Sequence, residues 1–193
     1  MANRKVCVHQ LIIGLSGYAQ SGKDTVANIL VSKYEFERVA FADAIRSILW
    51  EMNPIVKDSG FTLQGVVTAY GWDKAKVMFS EVRRLLQEQG VSSRKVLGDD
   101  IWVSAALQKM SNTNKNYVVT DVRFQNEAAM ITLLGGQLWR VKRPGVEAVN
   151  SHVSEHDLDG YKMDQILHNG GTIDELELLV RQRMDALIAN KTD

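Results

Sequence analysis

The sequence predicts an α/β fold, a parallel sheet flanked by helices and carrying a helical insertion. Three observations lead there. Short apolar runs alternate with amphipathic stretches at both ends of the chain. The middle, from Phe61 to Met110, has helical stretches and no convincing strand. A glycine-containing loop stands between the first apolar run and the first helix. Parallel neighbours need a crossover between them, so strand–helix alternation is the pattern of a parallel sheet.

Taken in order, Gln10 to Ser16 (QLIIGLS) is short and apolar enough for a buried parallel strand. Ser21 to Lys33 places Val26, Ile29 and Leu30 on one face of a helix, and Glu37 to Phe41 is a second strand. Asp43 to Met52 is a helix with Asp43 as N-cap and Ile45, Ile48 and Leu49 on its apolar face. Ser80 to Gln89 and Asp100 to Met110 are the clearest helices of the middle block. Tyr117 to Thr120 (YVVT) is a strand, Asn126 to Leu134 a helix, and Gly136 to Val141 another strand. Lys142 to Gly160 is polar, with Pro144 and Gly145 near its start. Gln165 to Leu167 is the last strand of five, and Thr172 to Ala189 the last helix, where Thr172 and Glu175 have the spacing of a capping box. On such a sheet ligands bind beyond the carboxyl ends of the strands, which is where the informative motifs fall.

Bulk properties narrow the function classes. The 193 residues suffice for one domain with a core, and 23 basic residues balance 23 acidic ones, so there is no general basic field for nucleic acid. The single Cys7 excludes an internal disulfide and fits a reducing compartment. No apolar run approaches the roughly 20 residues of a membrane span. The expectation is an intracellular, soluble chain that binds no nucleic acid and no membrane.

Gly17-Tyr-Ala-Gln-Ser-Gly-Lys-Asp-Thr25 is the first of two informative segments. Gly17, Ala19, Ser21 and Gly22 are small enough for the backbone to curl with its N–H groups pointing inward at phosphate oxygens, and the next helix adds its positive end. Lys23 follows at the position that reaches the β- and γ-phosphates of a nucleoside triphosphate. The residue after that lysine is ordinarily Ser or Thr, touching Mg²⁺; here it is Asp24, a hard ligand directly or through water, with Thr25 free to meet a phosphate nearer the nucleoside. The competing reading is a plain turn with an acidic first helical turn. In the second segment, Val118-Val-Thr-Asp121-Val-Arg123-Phe-Gln-Asn-Glu127, a strand ends on Asp121, placed to orient Mg²⁺ or its waters, and Arg123 reaches toward the same anions. The bland alternative has Asp121 capping a turn and Arg123 paired with Glu127.

With these segments FADAIR (Phe41 to Arg46), GWDKAK (Gly71 to Lys76), EVRRLLQEQG (Glu81 to Gly90), GDDIWV (Gly98 to Val103), TDVRFQNEA (Thr120 to Ala128) and WRVKRPG (Trp139 to Gly145) occur in order, and the chain resembles the phage-type deoxynucleoside monophosphate kinases. Even the Lys-Asp-Thr ending of the loop is similar to that family. The resemblance implies a P-loop kinase fold with a five-stranded parallel sheet. It implies a core of residues 8–42, 111–141 and 161–193, a helical monophosphate-binding insertion of about 43–110, and a lid of about 142–160. It also implies transfer of the γ-phosphoryl group of ATP, with Mg²⁺, to a deoxynucleoside monophosphate, a dimer as the default assembly, and residence in the cytoplasm (the host's if the gene is a phage's).

The nucleophile of that reaction is already anionic, so the work is charge cancellation and alignment, for which arginine is the best residue. Lys23, Asp121, Arg123 and Arg143 are the expected catalytic residues, with Asp24 and Asp121 on the metal. Arg46, Arg84, Arg94 and Arg123 are expected on the acceptor phosphate, and Asp43 on its sugar or base. Arg140 and Arg143 are expected to close with the lid, while Asn169 and Gly170 lie where a loop around adenine belongs, with a plain turn as the competing reading. Trp72 and Trp102 are read as core before base-stacking, and His152 and His156 as solvated lid residues. The rivals are a P-loop kinase for dephospho-coenzyme A or phosphomevalonate, whose hydroxyl acceptor would recruit Asp43 as base, and a nucleic-acid-stimulated ATPase.

Overall fold

The computed structural model describes residues 10–149 and 152–192; Cys7 lies outside them. In chain order the elements are β1 (Ile12–Ser16), α1 (Lys23–Tyr34), β2 (Phe36–Val39), α2 (Ala42–Met52), β3 (Ile55–Val56), β4 (Phe61–Thr62), α3 (Leu63–Met78), α4 (Ser80–Leu97), α5 (Ile101–Lys109), β5 (Asn116–Val119), α6 (Gln125–Leu133), β6 (Gln137–Lys142), α7 (Val153–His156), β7 (Gln165–His168) and α8 (Ile173–Thr192). They fall into two compact units, Phe41–Leu107 and the remainder of the described residues.

The larger unit is built on a five-stranded sheet of order β2-β5-β1-β6-β7 in which every pairing is parallel. Strand β1 lies at its centre, buried at all positions, which is why its sequence is continuously apolar instead of alternating. Its register sets Ile13 beside Val118 on one side and Gln137 on the other. Helices α1 and α8 close one face: Val26, Ala27 and Leu30 of α1 and Leu176, Val180 and Met184 of α8 pack with Ile13, Leu15, Trp139, Val141 and Leu167. The four-residue spacing on α8 is the stripe a helix needs to bury one side. Truncating a fully buried member such as Leu30 to Ala should cost about 2–5 kcal/mol. At the head of α8, Glu175 N–H donates to Thr172 Oγ1 at 3.2 Å and Thr172 N–H donates to the Glu175 carboxylate at 2.7 Å, the capping box expected from the spacing.

The smaller unit has its own core of Leu49, Val56, Leu63, Val66, Ala75 and Val82. Four features stand out in this unit, and all but the break in α3 depart from what the sequence suggests. A two-strand antiparallel hairpin, β3–β4, forms where no strand was expected; two residues per strand carry no periodic signal. Helix α3 is broken at Gly71, whose backbone (φ 72°, ψ 160°) is not helical. Helix α4 runs past Gly90 to Leu97 instead of ending at Gln89. Asp43 is not the N-cap of α2: Phe41 holds that position, with no side-chain cap, and Asp43 lies in the first turn, where a carboxylate still favours the helix dipole. No described helix is long and apolar enough to cross a membrane.

Candidate active site

Strand β1 delivers the chain into the phosphate loop at Ser16, and three left-handed residues turn it: Gly17 (φ 139°), Gln20 (φ 63°) and Gly22 (φ 105°). Glycine is required at the first and last for space as well as torsion. A Cβ on Gly17 would lie 2.4 Å from the Val141 carbonyl oxygen, and one on Gly22 would lie 2.3 Å from Asn169 Nδ2. Ala19 is half-buried between them, and Ser21 is buried with an Oγ that has no hydrogen-bond partner among the described residues. A buried hydroxyl left unpaired is costly unless a ligand meets it, so the loop fits an oxygen-rich anion.

Lys23 opens α1 and folds back over the loop, its Nζ donating to the carbonyls of Gly17 and Tyr18 at 2.6 Å each. Burial, reinforced by the Arg123 guanidinium, lowers its ammonium from 10.5 to about 8, while the carboxylates of Asp24, Glu155 and Asp121 act in the opposite sense. Those groups therefore share one electrostatic neighbourhood. Asp24 is exposed and pairs with Arg38 of β2. Thr25 is half-buried one residue further along α1. Among the described residues no group of three His, Cys, Asp or Glu side chains has the arrangement of a metal cage. Two carboxylates beside a phosphate loop instead fit Mg²⁺, which is commonly held by one or two carboxylates, substrate phosphates and water.

Arg123 follows β5 in a turn tied by the buried Glu127, whose carboxylate accepts the N–H groups of Arg123 (2.8 Å) and Phe124 (3.1 Å). Glu127 thus meets residue 123 at its backbone, and the guanidinium goes elsewhere: Arg123 Nη1 donates to Glu155 Oε1 at 2.8 Å. Arg140 projects from β6, its two Nη atoms donating to the Leu158 carbonyl and the Asp159 carboxylate at 2.9 Å each, with the guanidinium 5.7 Å from the centre of the Tyr18 ring. Asp159 also meets His156 Nδ1 at 3.0 Å and accepts the Tyr18 hydroxyl at 3.3 Å. His156, Arg140 and Tyr18 together hold its carboxyl below the usual range. Gly17, Tyr18, Arg123, Arg140 and Glu155 line one open cleft. Arg143 lies outside this group, exposed beyond the end of β6.

The turn after β7 reaches the same loop from behind. Asn169 Nδ2 donates to the Ser21 carbonyl at 2.8 Å, and Asn169 N–H donates to the Lys142 carbonyl at 2.7 Å. Asn169 thereby braces the phosphate loop, with Gly170 next to it against Pro144. His152 caps and His156 ends a short helix, α7, in a segment expected to be irregular. His152 Nδ1 accepts the Ser154 N–H, while His156 turns to Asp159, so the two rings serve different partners.

Of the residues expected to hold an acceptor, Arg123 belongs to the sheet-bearing unit, and Asp43, Arg46, Arg84 and Arg94 lie in the Phe41–Leu107 unit. Arg46 sits 3.7 Å from Asp43 and 5.9 Å from the centre of the Trp72 ring, and its buried Nε has no hydrogen-bond partner among the described residues. Arg84 gives its fork to Glu81 and another donor to Glu88, which commits three of its five N–H groups to carboxylates and leaves two for a phosphate. Arg94 donates to the Asp99 carbonyl at 2.7 Å. Trp102 is core, its Nε1 donating to the Gly90 carbonyl at 3.0 Å. Tyr18, Glu155 and Asp159 were not singled out from the sequence. Their partners lie up to 141 residues away, and no local pattern marks them.

A family model described as deoxynucleotide monophosphate kinase matches residues 57–180. The chain belongs to the deoxynucleotide monophosphate kinase family. A protein of Acanthamoeba polyphaga mimivirus, whose name gives the same activity provisionally, is 29% identical over 187 aligned residues, covering 86% of this chain and 91% of the viral protein. The deoxynucleotide monophosphate kinase of Escherichia phage RB69 is 32% identical over 100 residues, covering 49% of this chain and 41% of the phage protein. Among solved structures, dephospho-CoA kinase from Campylobacter jejuni superimposes with a TM-score of 0.50 at 14% identity, over 93% of this chain and 98% of that one. This last likeness is one of fold. The chain is a nucleotide kinase, a phosphotransferase built as a parallel sheet flanked by helices.

Proposed function

We propose that this kinase transfers the γ-phosphoryl group of ATP to a deoxynucleoside monophosphate, giving the deoxynucleoside diphosphate and ADP. The observation that carries the reading is the convergence of Lys23, Arg123 and the buried, unpartnered Ser21 hydroxyl on one glycine-turned loop. An oxygen of the acceptor phosphate attacks the γ-phosphorus, and the bond to the β,γ-bridging oxygen breaks, with ADP leaving. No proton has to be removed from a phosphate that is already anionic, so the protein's task is alignment and charge neutralisation.

The loop Gly17–Thr25 holds the triphosphate through backbone N–H groups, the Ser21 and Thr25 hydroxyls and Lys23, with Asn169 and Gly170 supporting the adenine side. Asp24 and Asp121 are the residues that would hold Mg²⁺, which would supply positive charge to the phosphates. Arg123 neutralises the transferring group. In the Phe41–Leu107 unit, Arg46 and Arg94 bind the acceptor phosphate, joined by the two uncommitted donors of Arg84, and Asp43 meets the sugar or base. The segment 142–160 acts as lid, bringing Arg143 to the phosphates and keeping Arg140 beside them.

The test is release of ADP measured over a panel of deoxynucleoside and ribonucleoside monophosphates, dephospho-coenzyme A and phosphomevalonate. ADP release that depends on a deoxynucleoside monophosphate is the expected result. Turnover with only a hydroxyl acceptor, or silence on every nucleotide, refutes the reading.

A further inference from the structure

The polar segment that includes α7 presents three acidic residues at alternate positions, and each is committed to a different part of the site. Glu155 accepts from the Arg123 guanidinium at 2.8 Å. Asp157 accepts the Gln125 N–H at 2.9 Å at the start of α6, and its carbonyl accepts Gln125 Nε2 at 3.2 Å. Asp159 accepts from Arg140 at 2.9 Å. The Glu155 side chain is 4% exposed against 42% for Arg123, so the carboxylate is the buried member of its pair. An ionised carboxylate out of water is retained only where a charge partner meets it, and here that partner is the arginine that faces the phosphate loop.

We propose that Glu155 is a positioning residue for Arg123, and that the segment carrying it is fastened to the same turn by Asp157. Arg123 is then fixed at two points: Glu127 holds its backbone N–H and Glu155 its guanidinium. The contact uses one Nη1–H donor, and a guanidinium has five, so the remaining donors stay available to a transferring phosphoryl group while Glu155 keeps its grip. Through Asp157 and Gln125 the position of α7 is coupled to the turn that bears Arg123, so Glu155 is held in place beside the charge-neutralising arginine. This inference rests on the proposed role of Arg123 in phosphoryl transfer.

The test is a double-mutant cycle on kcat. Glu155→Ala should lower kcat about ten- to a hundredfold, the loss expected when a reacting group is displaced by about 1 Å, with the KM for ATP changed less than threefold. Glu155→Gln, which keeps an acceptor oxygen and the side-chain shape, should recover part of the loss. In an Arg123→Ala background, removal of Glu155 should lower kcat no further, because a positioning residue has nothing left to position. Thermal melting of each variant checks the fold, and Glu155→Gln keeps the test available if the alanine variant does not fold. Wild-type kcat in Glu155→Ala, a raised KM without a fall in kcat, or a further tenfold fall in the double variant overturns the inference. Wild-type kcat in Arg123→Ala alone refutes instead the reading of Arg123 itself.

Discussion

Nucleotide binding should draw a proton onto Lys23. In the ligand-free site burial and Arg123 hold the Lys23 ammonium at about 8. Triphosphate oxygens would favour the charged form and return it toward its ordinary value of 10.5. Between about pH 7 and about pH 9 the free site passes from nearly fully protonated to about one-tenth protonated, whereas the complex stays charged. The Kd for ATP should therefore weaken about tenfold over that interval, about 1.4 kcal/mol, with close to one proton taken up per nucleotide bound at about pH 9 and about 0.1 at about pH 7. Calorimetric titration with a non-hydrolysable ATP analogue, in two buffers of different ionisation enthalpy at each pH, measures that uptake directly. Lys23→Met should bind more weakly and lose the proton uptake. The sign for stability runs the other way: a lowered lysine pKa makes the charged form unfavourable in the empty fold, so ligand-free stability should gain as pH rises from about 8 toward 10.5. Equal affinity at both pH values with no proton uptake by the wild type would refute the assignment of Lys23 to the phosphates.

Three further outcomes follow from the loop. Gly22→Ala should abolish ATP binding and lower the melting temperature, since its Cβ would meet Asn169 Nδ2 at 2.3 Å on a backbone with φ 105°; calorimetry and thermal melting check both. Asn169→Ala removes one hydrogen bond to the Ser21 carbonyl. It should cost about 1 kcal/mol of loop order, read as a several-fold rise in the KM for ATP with kcat little changed. Chelation of divalent cations should stop turnover, and Mg²⁺ should restore it, because Asp24 and Asp121 add negative charge beside a triphosphate and the reaction needs that charge balanced.

The parts of this fold written in short-range pattern were readable from the sequence. The central strand β1 is continuously apolar, Gly17 and Gly22 sit where the loop backbone is left-handed, and Thr172 and Glu175 form the box their spacing indicates. Helix α4 shows why the middle was harder. Glycine inside a helix costs about 1 kcal/mol against alanine, so Gly90 read as a terminus. In the fold a Cβ there would come within 3.3 Å of Ile45 Cδ1, and its carbonyl accepts the Trp102 indole. Close packing and a long-range hydrogen bond offset the local preference, and the helix continues. Asp43 is the reverse case, a good cap residue whose helix begins two residues earlier than that cap would set it. In the candidate site the phosphate loop and Arg123 were legible because they sit at strand ends. The pairing of Arg123 with Glu155 and of Arg38 with Asp24 was not, because such contacts depend on how distant segments fold together.

Passage of the γ-phosphoryl group to another nucleotide can be followed by incubating the enzyme with γ-labelled ATP, Mg²⁺ and each deoxynucleoside monophosphate and separating the products. Label should appear in a deoxynucleoside diphosphate, and none there with a folded Lys23→Ala variant. Label found only in inorganic phosphate, or transfer undiminished in Lys23→Ala, would contradict it.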